Sequence, residues 1–276
     1  MVTQEQRKRQ LAREKFLRQQ QRRTSARRKA RVRNSVIASV LGVIIIGSLA
    51  LYTTGVLKDD DKANASAETS ASPSAAPSAV KDPCEKAAAG SIKKLTWKKE
   101  PAVTIDTSAK YTMKLATTCG DIDIALKAKA APHTVNSFDF LAGKGYFDHT
   151  KCHRLTTNGI YVLQCGDPTG SGSGGPGYTI PDENLKDATL KSNVYPAGTI
   201  AMANTGQAHT GGSQFFLVYQ DSQLPPSYTP FGTVSADGMK VLKKIAAAGS
   251  QPADPTTQNT APNATVVINK ATVTKS

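Results

Sequence analysis

The chain has 276 residues, of which 39% are hydrophobic and 20% are charged, so it can form one domain of ordinary size with extensions. Its formal net charge is +14, but this charge is concentrated at one end. Residues 1–34 contain thirteen Lys or Arg and two acids, Glu5 and Glu14, whereas the other 242 residues contain 22 bases and 19 acids. The nearly neutral remainder argues against a basic, nucleic-acid-binding groove on the folded part.

Residues 1–35 form a basic tail that lacks glycine and proline and is rich in helix-forming residues. One interpretation is a helix that lies on anionic lipid headgroups. We favour a solvated segment that only determines membrane topology. Nucleic-acid binding by the tail is the least favoured interpretation.

Residues 36–57 contain no charged residue and no proline. As a helix, these 22 residues would span roughly 33 Å at about 1.5 Å each, enough for the hydrocarbon core of a bilayer. Basic residues precede the segment and Asp59, Asp60 and Asp61 follow it. The positive-inside rule therefore predicts a single-pass anchor of the cell membrane with a cytoplasmic N-terminus and an extracytoplasmic domain. A signal peptide cleaved near Ala63–Ala67 is less favoured, because the apolar run is longer than about 15 residues.

Residues 58–100 are predicted to be a linker, whose part up to about Asp82 is rich in Ala, Ser and Pro and is typical of a disordered spacer. Residues 101–276 show the alternation and turn residues of a folded domain. Strands are predicted at Thr104–Asp106, Tyr111–Thr117, Asp121–Leu126 and Ala264–Thr274, and helices at Ala131–Gly143 and about Gly238–Ala248. Many strands, two helices and no βαβ alternation favour a mainly β fold, a closed antiparallel barrel with helices at its ends.

Four segments in this domain follow one another in a specific order. They are CHRLTTNGIYVLQCGD at Cys152–Asp167, GSGSGGPGY at Gly170–Tyr178, GTIAMANTGQAHTGGSQFF at Gly198–Phe216 and LPPSYTPFGTV at Leu224–Val234. The first helix also opens with Ala-Pro-x-Thr-Val-x-x-Phe at Ala131–Phe138. Together they resemble the cyclophilin family of peptidyl-prolyl cis/trans isomerases, over about residues 109–274.

The resemblance implies an eight-stranded antiparallel barrel with two capping helices and a shallow groove on the outside. It implies that Arg154, Gln164 and Asn204 are catalytic. It implies that the substrate-binding residues are His153, Tyr161, Val162, Gly172, Ala203, Thr205, Gln214, Phe216, Leu224 and Tyr228.

This chain departs from the family pattern at several positions. Tyr228 stands where many members have histidine, and Gln223 stands where eukaryotic members often have a tryptophan that binds cyclosporin. The loop between Arg154 and Gln164 is two residues longer than in the eukaryotic pattern. We therefore expect weak or no cyclosporin binding. The departures and the anchor resemble a bacterial, actinobacterial-like subgroup.

The implied reaction rotates a prolyl amide over a barrier of about 18–20 kcal/mol that arises from N–C=O resonance. A guanidinium suits this task because it stays charged and donates hydrogen bonds in a fixed fork, so Arg154 is expected to stabilise the twisted amide. Such chemistry needs no nucleophile, metal or cofactor. The four histidines form no tight metal-ligand spacing.

All four cysteines follow the predicted anchor. An oxidising compartment permits two disulfides among them, with three possible connectivities. We favour Cys152–Cys165, because the chain folds back between these residues, with Cys84–Cys119 as the second pair. Free buried thiols are the alternative.

Three functions compete at this point. The favoured one is an isomerase that acts on proline-containing polypeptides and assists the folding of exported proteins. The second is a non-catalytic module or chaperone that holds proline-containing segments in the same groove. The third, a membrane-bound nucleic-acid protein, rests only on the basic tail, and no nucleic-acid partner is expected.

Overall fold

The computed structural model describes residues 82–254 and 259–276. Three predicted segments lie outside the described residues. They are the basic tail, the transmembrane helix at 36–57 and the linker up to residue 81. Within the two described ranges, neither of the helices has the length and apolar character needed to cross a membrane.

The described part contains two α-helices, α1 at Pro132–Gly143 and α2 at Ala236–Ala247. Its strands are β1 Tyr111–Thr117, β2 Gly120–Leu126, β3 Thr150–Lys151, β4 Arg154–Leu155, β5 Val162–Cys165, β6 Val194–Tyr195, β7 Thr199–Met202, β8 Phe215–Val218, β9 Ser222–Gln223, β10 Pro230–Val234 and β11 Val267–Lys275.

Nine of these strands form one antiparallel sheet in the order β3-β11-β1-β2-β10-β7-β8-β5-β4. Its two edge strands, β3 and β4, are separated only by Cys152 and His153. The Cys152 N–H donates to the Val266 carbonyl at 3.0 Å, and the His153 N–H donates to the Gln164 carbonyl at 3.1 Å. The same stretch therefore bonds both edges, and the sheet curls onto itself. The predicted eight strands become nine because one strand is interrupted at Cys152–His153.

The strands β1 and β2 alternate between buried and more exposed residues, with Met113, Leu115, Ile122 and Ile124 turned into the barrel, as expected for a sheet with one face in the core. The strands β7 and β8 are instead buried on both faces. Their outer face carries a second apolar cluster that includes Ala201, Phe216 and Val218. This cluster lies on the face where the family resemblance places the groove.

The two helices are held in different ways. In α2, the Ser235 side chain caps the first turn by accepting from the Gly238 N–H at 3.1 Å. The residue before α1 is Ala131, which has no side-chain cap. Glu183 takes its place, because its carboxylate accepts from the N–H groups of His133 and Thr134 at 3.0 and 2.9 Å. A carboxylate at this end also faces the positive pole of the helix dipole.

The predicted strand at 111–117 and the predicted helix ending at Gly143 are confirmed. The predicted strand at 104–106 is wrong. There the Thr104 N–H donates to the Asn136 side chain at 2.9 Å, and the Asp106 N–H donates to the Tyr111 hydroxyl at 3.0 Å. These bonds to side chains replace the ladder bonds that a strand would need. The second helix begins at Ala236, two residues earlier than predicted, because Ser235 caps it.

Residues 82–110, here called the strap, run over the folded unit without helix or strand. A disulfide joins Cys84 to Cys119. The Trp97 ring packs 5.0 Å from that of Phe140, and the backbone N–H of Trp97 donates to the Pro176 carbonyl at 2.8 Å. The predicted linker extended to residue 100, but its part from residue 82 onward belongs to the folded unit.

Both favoured disulfides, Cys84–Cys119 and Cys152–Cys165, are confirmed, and none of the chain's four cysteines is free.

Candidate active site

Four neighbouring strands place one row of side chains on the outer face of the curled sheet. In this row Arg154 pairs with Gln164, Gln164 pairs with Phe216, and Phe216 pairs with Ala201. Because directly paired residues of adjacent antiparallel strands point to the same face, the pairing brings a guanidinium, an amide and an aromatic ring side by side. Residues that are up to 62 positions apart in the sequence thus become neighbours.

A chain of hydrogen bonds runs from Arg154 away from the sheet edge. Arg154 Nη1 donates to Gln164 Oε1 at 3.3 Å, and Gln164 Nε2 donates to Gln214 Oε1 at 2.9 Å. Gln214 Nε2 then donates to the Gly174 carbonyl at 2.9 Å. These partners fix the orientation of both amides. Arg154 is also the only arginine after residue 33 of the chain, so no other guanidinium of residues 34–276 could perform its task.

A cavity of about 330 Å³ with both polar and apolar residues in its lining lies beside the guanidinium. Its floor consists of Val162, Phe216 and Leu224, which are all at least nine-tenths buried. The Tyr228 ring stands edge-on to Phe216, with centroids 5.4 Å apart. The size and the buried apolar residues suit one small apolar ring, and Arg154, Gln164, Asn204 and Asn259 supply the polar part of the lining.

Tyr195 supports this cavity from behind. It is fully buried, and its hydroxyl donates to the Tyr228 carbonyl at 2.8 Å. Burial raises the pKa of Tyr195 to about 12, so the hydroxyl keeps its proton and remains a donor at all physiological pH values. The rim at Tyr228 is therefore fixed by a hydrogen bond as well as by packing.

Asn204 presents its main chain rather than its side chain to the groove. Its side-chain Nδ2 donates to the Ser227 carbonyl at 2.8 Å, and its Oδ1 accepts from the Gly206 N–H at 3.0 Å. The neighbouring Ala203 N–H donates to the Gln214 carbonyl at 2.9 Å. Within residues 82–254 and 259–276, the N–H and C=O of Asn204 itself have no hydrogen-bond partner. They can therefore bind an extended peptide.

A second cavity of about 790 Å³ adjoins the first and is lined by the glycine-rich turn at 172–177. This turn is ordered by the buried Asp167 carboxylate, which accepts from Thr169 N–H at 2.7 Å, Gly172 N–H at 2.6 Å and Gly174 N–H at 3.1 Å. Burial works to raise the pKa of Asp167, but the hydrogen bonds from Thr169, Gly174 and Gly172 outweigh it and lower the pKa. The carboxylate is therefore ionised and holds the turn as an acceptor.

Most of the predicted site residues meet in these two cavities. The smaller one is lined by Arg154, Val162, Gln164, Gly172, Ala203, Asn204, Phe216, Leu224 and Tyr228, and the larger one also by Thr205 and Gln214.

Two predicted substrate-binding residues lie elsewhere. Tyr161 faces away from the groove and packs edge-on to Tyr219, with centroids 5.9 Å apart, while Ile160 and Val162 line the cavity. His153 is only 6% exposed and lines neither cavity, and neither of its ring nitrogens has a hydrogen-bond partner among the described residues. Burial lowers the pKa of His153; the nearby Asp167 charge works to raise it, and the Arg154 charge works to lower it. His153 is therefore a neutral residue behind the site.

Three residues that line or support the smaller cavity were not predicted from the sequence. They are Ile160, Tyr195 and Asn259. Asn259 lines the smaller cavity, and its Nδ2 donates to the Ser171 carbonyl at 3.0 Å. Ile160 lies inside a recognised segment, but a motif does not show which of two neighbouring residues faces the groove. Tyr195 and Asn259 lie outside all recognised segments, so no motif pointed to them.

The arrangement suits non-covalent chemistry on an amide. One permanent cation stands beside a cavity that contains buried apolar residues, and an extended peptide could bind along Asn204. Within the described ranges, no cluster of three or more His, Cys, Asp or Glu side chains could hold a metal ion. The site can therefore hold an apolar ring and direct hydrogen bonds at the bond next to it.

Comparisons with known proteins also indicate a protein that acts on prolyl amides. The model of the family "cyclophilin type peptidyl-prolyl cis-trans isomerase/CLD" matches residues 112–273, more than half of the chain. A probable peptidyl-prolyl cis-trans isomerase B of Mycobacterium leprae is 53% identical over 149 residues, which are 51% of this chain and 50% of that protein. The corresponding Mycobacterium tuberculosis protein is 50% identical, over 51% of this chain and 48% of that protein. The chain thus spans about half the length of these relatives.

A shorter relative is matched over more of its length. A peptidyl-prolyl cis-trans isomerase of Helicobacter pylori is 39% identical over 133 residues, which are 48% of this chain and 77% of that protein. A crystal structure of a cyclophilin-type isomerase of Cryptosporidium parvum is 28% identical, with a TM-score of 0.49 over 60% of this chain and 98% of that one.

Proposed function

Because the chain belongs to the cyclophilin-type peptidyl-prolyl cis-trans isomerase family, we propose that it accelerates the cis/trans isomerisation of X–Pro bonds in the groove beside Arg154. The observation that carries this proposal is the row of Arg154, Gln164 and Phe216 on one face of the sheet. It sets a fixed cation and an amide next to a cavity large enough for a pyrrolidine ring.

The cavity would bind the proline ring. Val162, Phe216 and Leu224 form its floor, and burial of a side chain of this size stabilises a complex by about 1.5–3 kcal/mol. The main chain of Asn204 would bind the residue before the proline. With both partners held, only the bond between them is free to rotate.

The guanidinium would then lower the rotational barrier. In the planar amide the nitrogen lone pair is delocalised into the carbonyl, but in the twisted amide it is localised and accepts hydrogen bonds. Arg154, oriented by Gln164 at 3.3 Å, would donate toward this nitrogen. A bond that is stronger in the twisted state than in either planar state is what accelerates the reaction.

The test is an isomerisation assay of the full chain in mild detergent, with an Ala-Ala-Pro-Phe peptide whose cis and trans forms are followed by NMR exchange. Arg154→Ala is expected to lower kcat/KM by about 100-fold, as for loss of one transition-state donor. Arg154→Lys should recover little, because the ammonium lacks the fork. Lys151→Ala, an exposed neighbour, is the matched control. A wild-type chain that binds the peptide without accelerating exchange is instead a binding module.

We further propose that the enzyme is anchored in the cell membrane by residues 36–57, with its N-terminus in the cytoplasm and residues 58–276 outside. The charge asymmetry around the apolar run supports this orientation, as do the two disulfides, which favour an oxidising compartment. Its clients would then be proline-containing segments of exported proteins, in an actinobacterial type of cell. Protease added to intact spheroplasts should digest the domain and spare a tag at residue 1; a protected domain would contradict the orientation.

A further inference from the structure

The Cys152–Cys165 disulfide encloses the two polar residues of the proposed active site. Arg154 lies two positions after Cys152, and Gln164 is the residue directly before Cys165. Both cysteines are at least nine-tenths buried. The covalent bond thus connects the two ends of the segment that carries Arg154, Gln164 and the cavity residues Ile160 and Val162.

β4 begins two residues after Cys152 and β5 ends at Cys165, and the two strands differ in the number of residue pairs that hold them. β5 pairs with β8 over four consecutive residue pairs, from Val162 to Cys165. β4 pairs with β5 over only two, Arg154–Gln164 and Leu155–Leu163, and forms one edge of the sheet. Two backbone bonds flank these pairs, from the His153 N–H to the Gln164 carbonyl at 3.1 Å and from the Thr156 N–H to the Val162 carbonyl at 3.0 Å. The disulfide joins Cys152, which lies two positions before Arg154, to the last residue of β5, and so restrains the chain that leads into the shorter strand.

The side chains around Arg154 contribute little to this attachment. The bond from Arg154 Nη1 to Gln164 Oε1 is long, at 3.3 Å. Between Cys152 and Arg154 stands His153, whose ring nitrogens have no hydrogen-bond partner among the described residues. Besides this bond, the direction in which Arg154 points depends on its backbone, and the disulfide restrains that backbone.

The second disulfide provides a natural contrast. Cys84–Cys119 attaches the strap to the turn between β1 and β2, and neither cysteine lines the groove. It can stabilise the fold without touching Arg154 or Gln164.

From this contrast we propose that the Cys152–Cys165 disulfide is a positioning element of the isomerase site, which holds the Arg154 strand in register with Gln164. The proposal rests on the proposed function and assigns part of its catalytic rate to a covalent constraint. Because positioning affects the twisted state and not the binding of the proline ring, loss of this disulfide should lower kcat and leave KM nearly unchanged.

The experiment compares two double variants of the full chain, Cys152→Ala/Cys165→Ala and Cys84→Ala/Cys119→Ala. The first is expected to lower kcat by about tenfold with KM within about twofold, since misplacement by about 1 Å can cost up to 100-fold. The second should keep both constants within about twofold even though its Tm falls. Equal kcat in the two variants, or a rise in KM alone, would overturn the proposal.

A second readout separates this proposal from the proposed function. The side-chain amide NMR signals of Gln164 and Gln214 should shift in the first variant and stay in place in the second. If the wild-type chain does not isomerise the peptide, the proposed function fails, and these signals still decide whether the disulfide positions the row. If the alanine pair does not fold, Cys152→Val/Cys165→Ala restores side-chain volume for the same measurements.

Discussion

Asp167 provides the sharpest test of how the glycine-rich turn supports the groove. Its Oδ1 accepts from the N–H and the hydroxyl of Thr169 at 2.7 and 2.8 Å, and its Oδ2 accepts from Gly172 and Gly174 at 2.6 and 3.1 Å. In Asp167→Asn one of these oxygens becomes an NH₂ group that can only donate. The exposed Ser171 hydroxyl also donates to Oδ2, at 3.4 Å. Whichever way the amide is turned, at least two donors lose their acceptor.

The expected cost follows from that count. An unsatisfied buried donor costs about 1–3 kcal/mol, so two would lower the free energy of unfolding by about 2–6 kcal/mol. Ser171 and Ser173 in the same turn are exposed, so water can reach part of the turn and the lower half of this range, about 2–4 kcal/mol, is expected. Urea unfolding, followed by the fluorescence of the single tryptophan, Trp97, measures this difference.

We expect Asp167→Asn to change the geometry of the active site as well as the stability. The Gly174 carbonyl accepts from Gln214, which is linked through Gln164 to Arg154. If the turn moves, this chain loses its far anchor, and kcat should fall by about tenfold. Asp187→Asn is the matched control, since Asp187 also accepts from a threonine and other donors but lies outside the groove. An Asp167→Asn protein that loses stability and keeps its kcat would refute the reasoning.

The pH dependence gives an independent check. The folded-state pKa of Asp167 is lowered, so the unfolded chain takes up its proton first when the pH falls. The stabilisation from the carboxylate is therefore complete above about pH 5 and is lost as the pH drops below the unfolded-state pKa of about 3.9. The stability gap between the wild type and Asp167→Asn should accordingly narrow toward pH 3; a constant gap would contradict this assignment.

Three further predictions concern stability. Glu183→Ala removes the acceptor for the first turn of α1 and should lower the free energy of unfolding by about 1–2 kcal/mol, whereas Glu85→Ala, an exposed glutamate of the strap, should leave it unchanged in the same urea titration. Trp97→Ala removes the contacts with Phe140 and Tyr146 and should lower Tm by several degrees in calorimetry; an unchanged Tm would mean that the strap is not part of the folded unit. Because the pKa of His153 is lowered by burial, stability should fall as the pH decreases below about 6.5, and this fall should be smaller in His153→Phe.

The sequence was sufficient for elements whose determinants are local. β1 was predicted at its observed bounds because polar and apolar residues alternate along it, and α1 because Pro132 opens it. The strap could not be predicted in this way. Residues 82–100 have no periodic pattern, and they are fixed by contacts with residues far along the chain, such as Asn269 and Phe140. A segment that folds only against its neighbours looks like a linker in the sequence.

In the site, too, some residues could be predicted from local sequence and others could not. Arg154, Gln164 and Phe216 were identified because each lies in a motif, but a motif does not state which face of a strand a residue occupies. Tyr161 was assigned to the groove and Ile160 was not, although the structure places them the other way round. In an extended chain an error of one position moves a side chain to the opposite face, which is enough to exchange them.

Because the site depends on strand register, the Cys152–Cys165 disulfide near Arg154 can affect the geometry of the site. β4 keeps only two residue pairs with β5, and a shift of one position would turn Arg154 from the groove to the core face. Hydrogen bonds such as those from the His153 N–H to Gln164 and from the Thr156 N–H to Val162 oppose such a shift but can re-form in another register, whereas Cys152–Cys165 excludes it because the bonded cysteines must stay adjacent. The disulfide thus keeps the strand of Arg154, the residue whose direction matters most for the proposed reaction, in a single register.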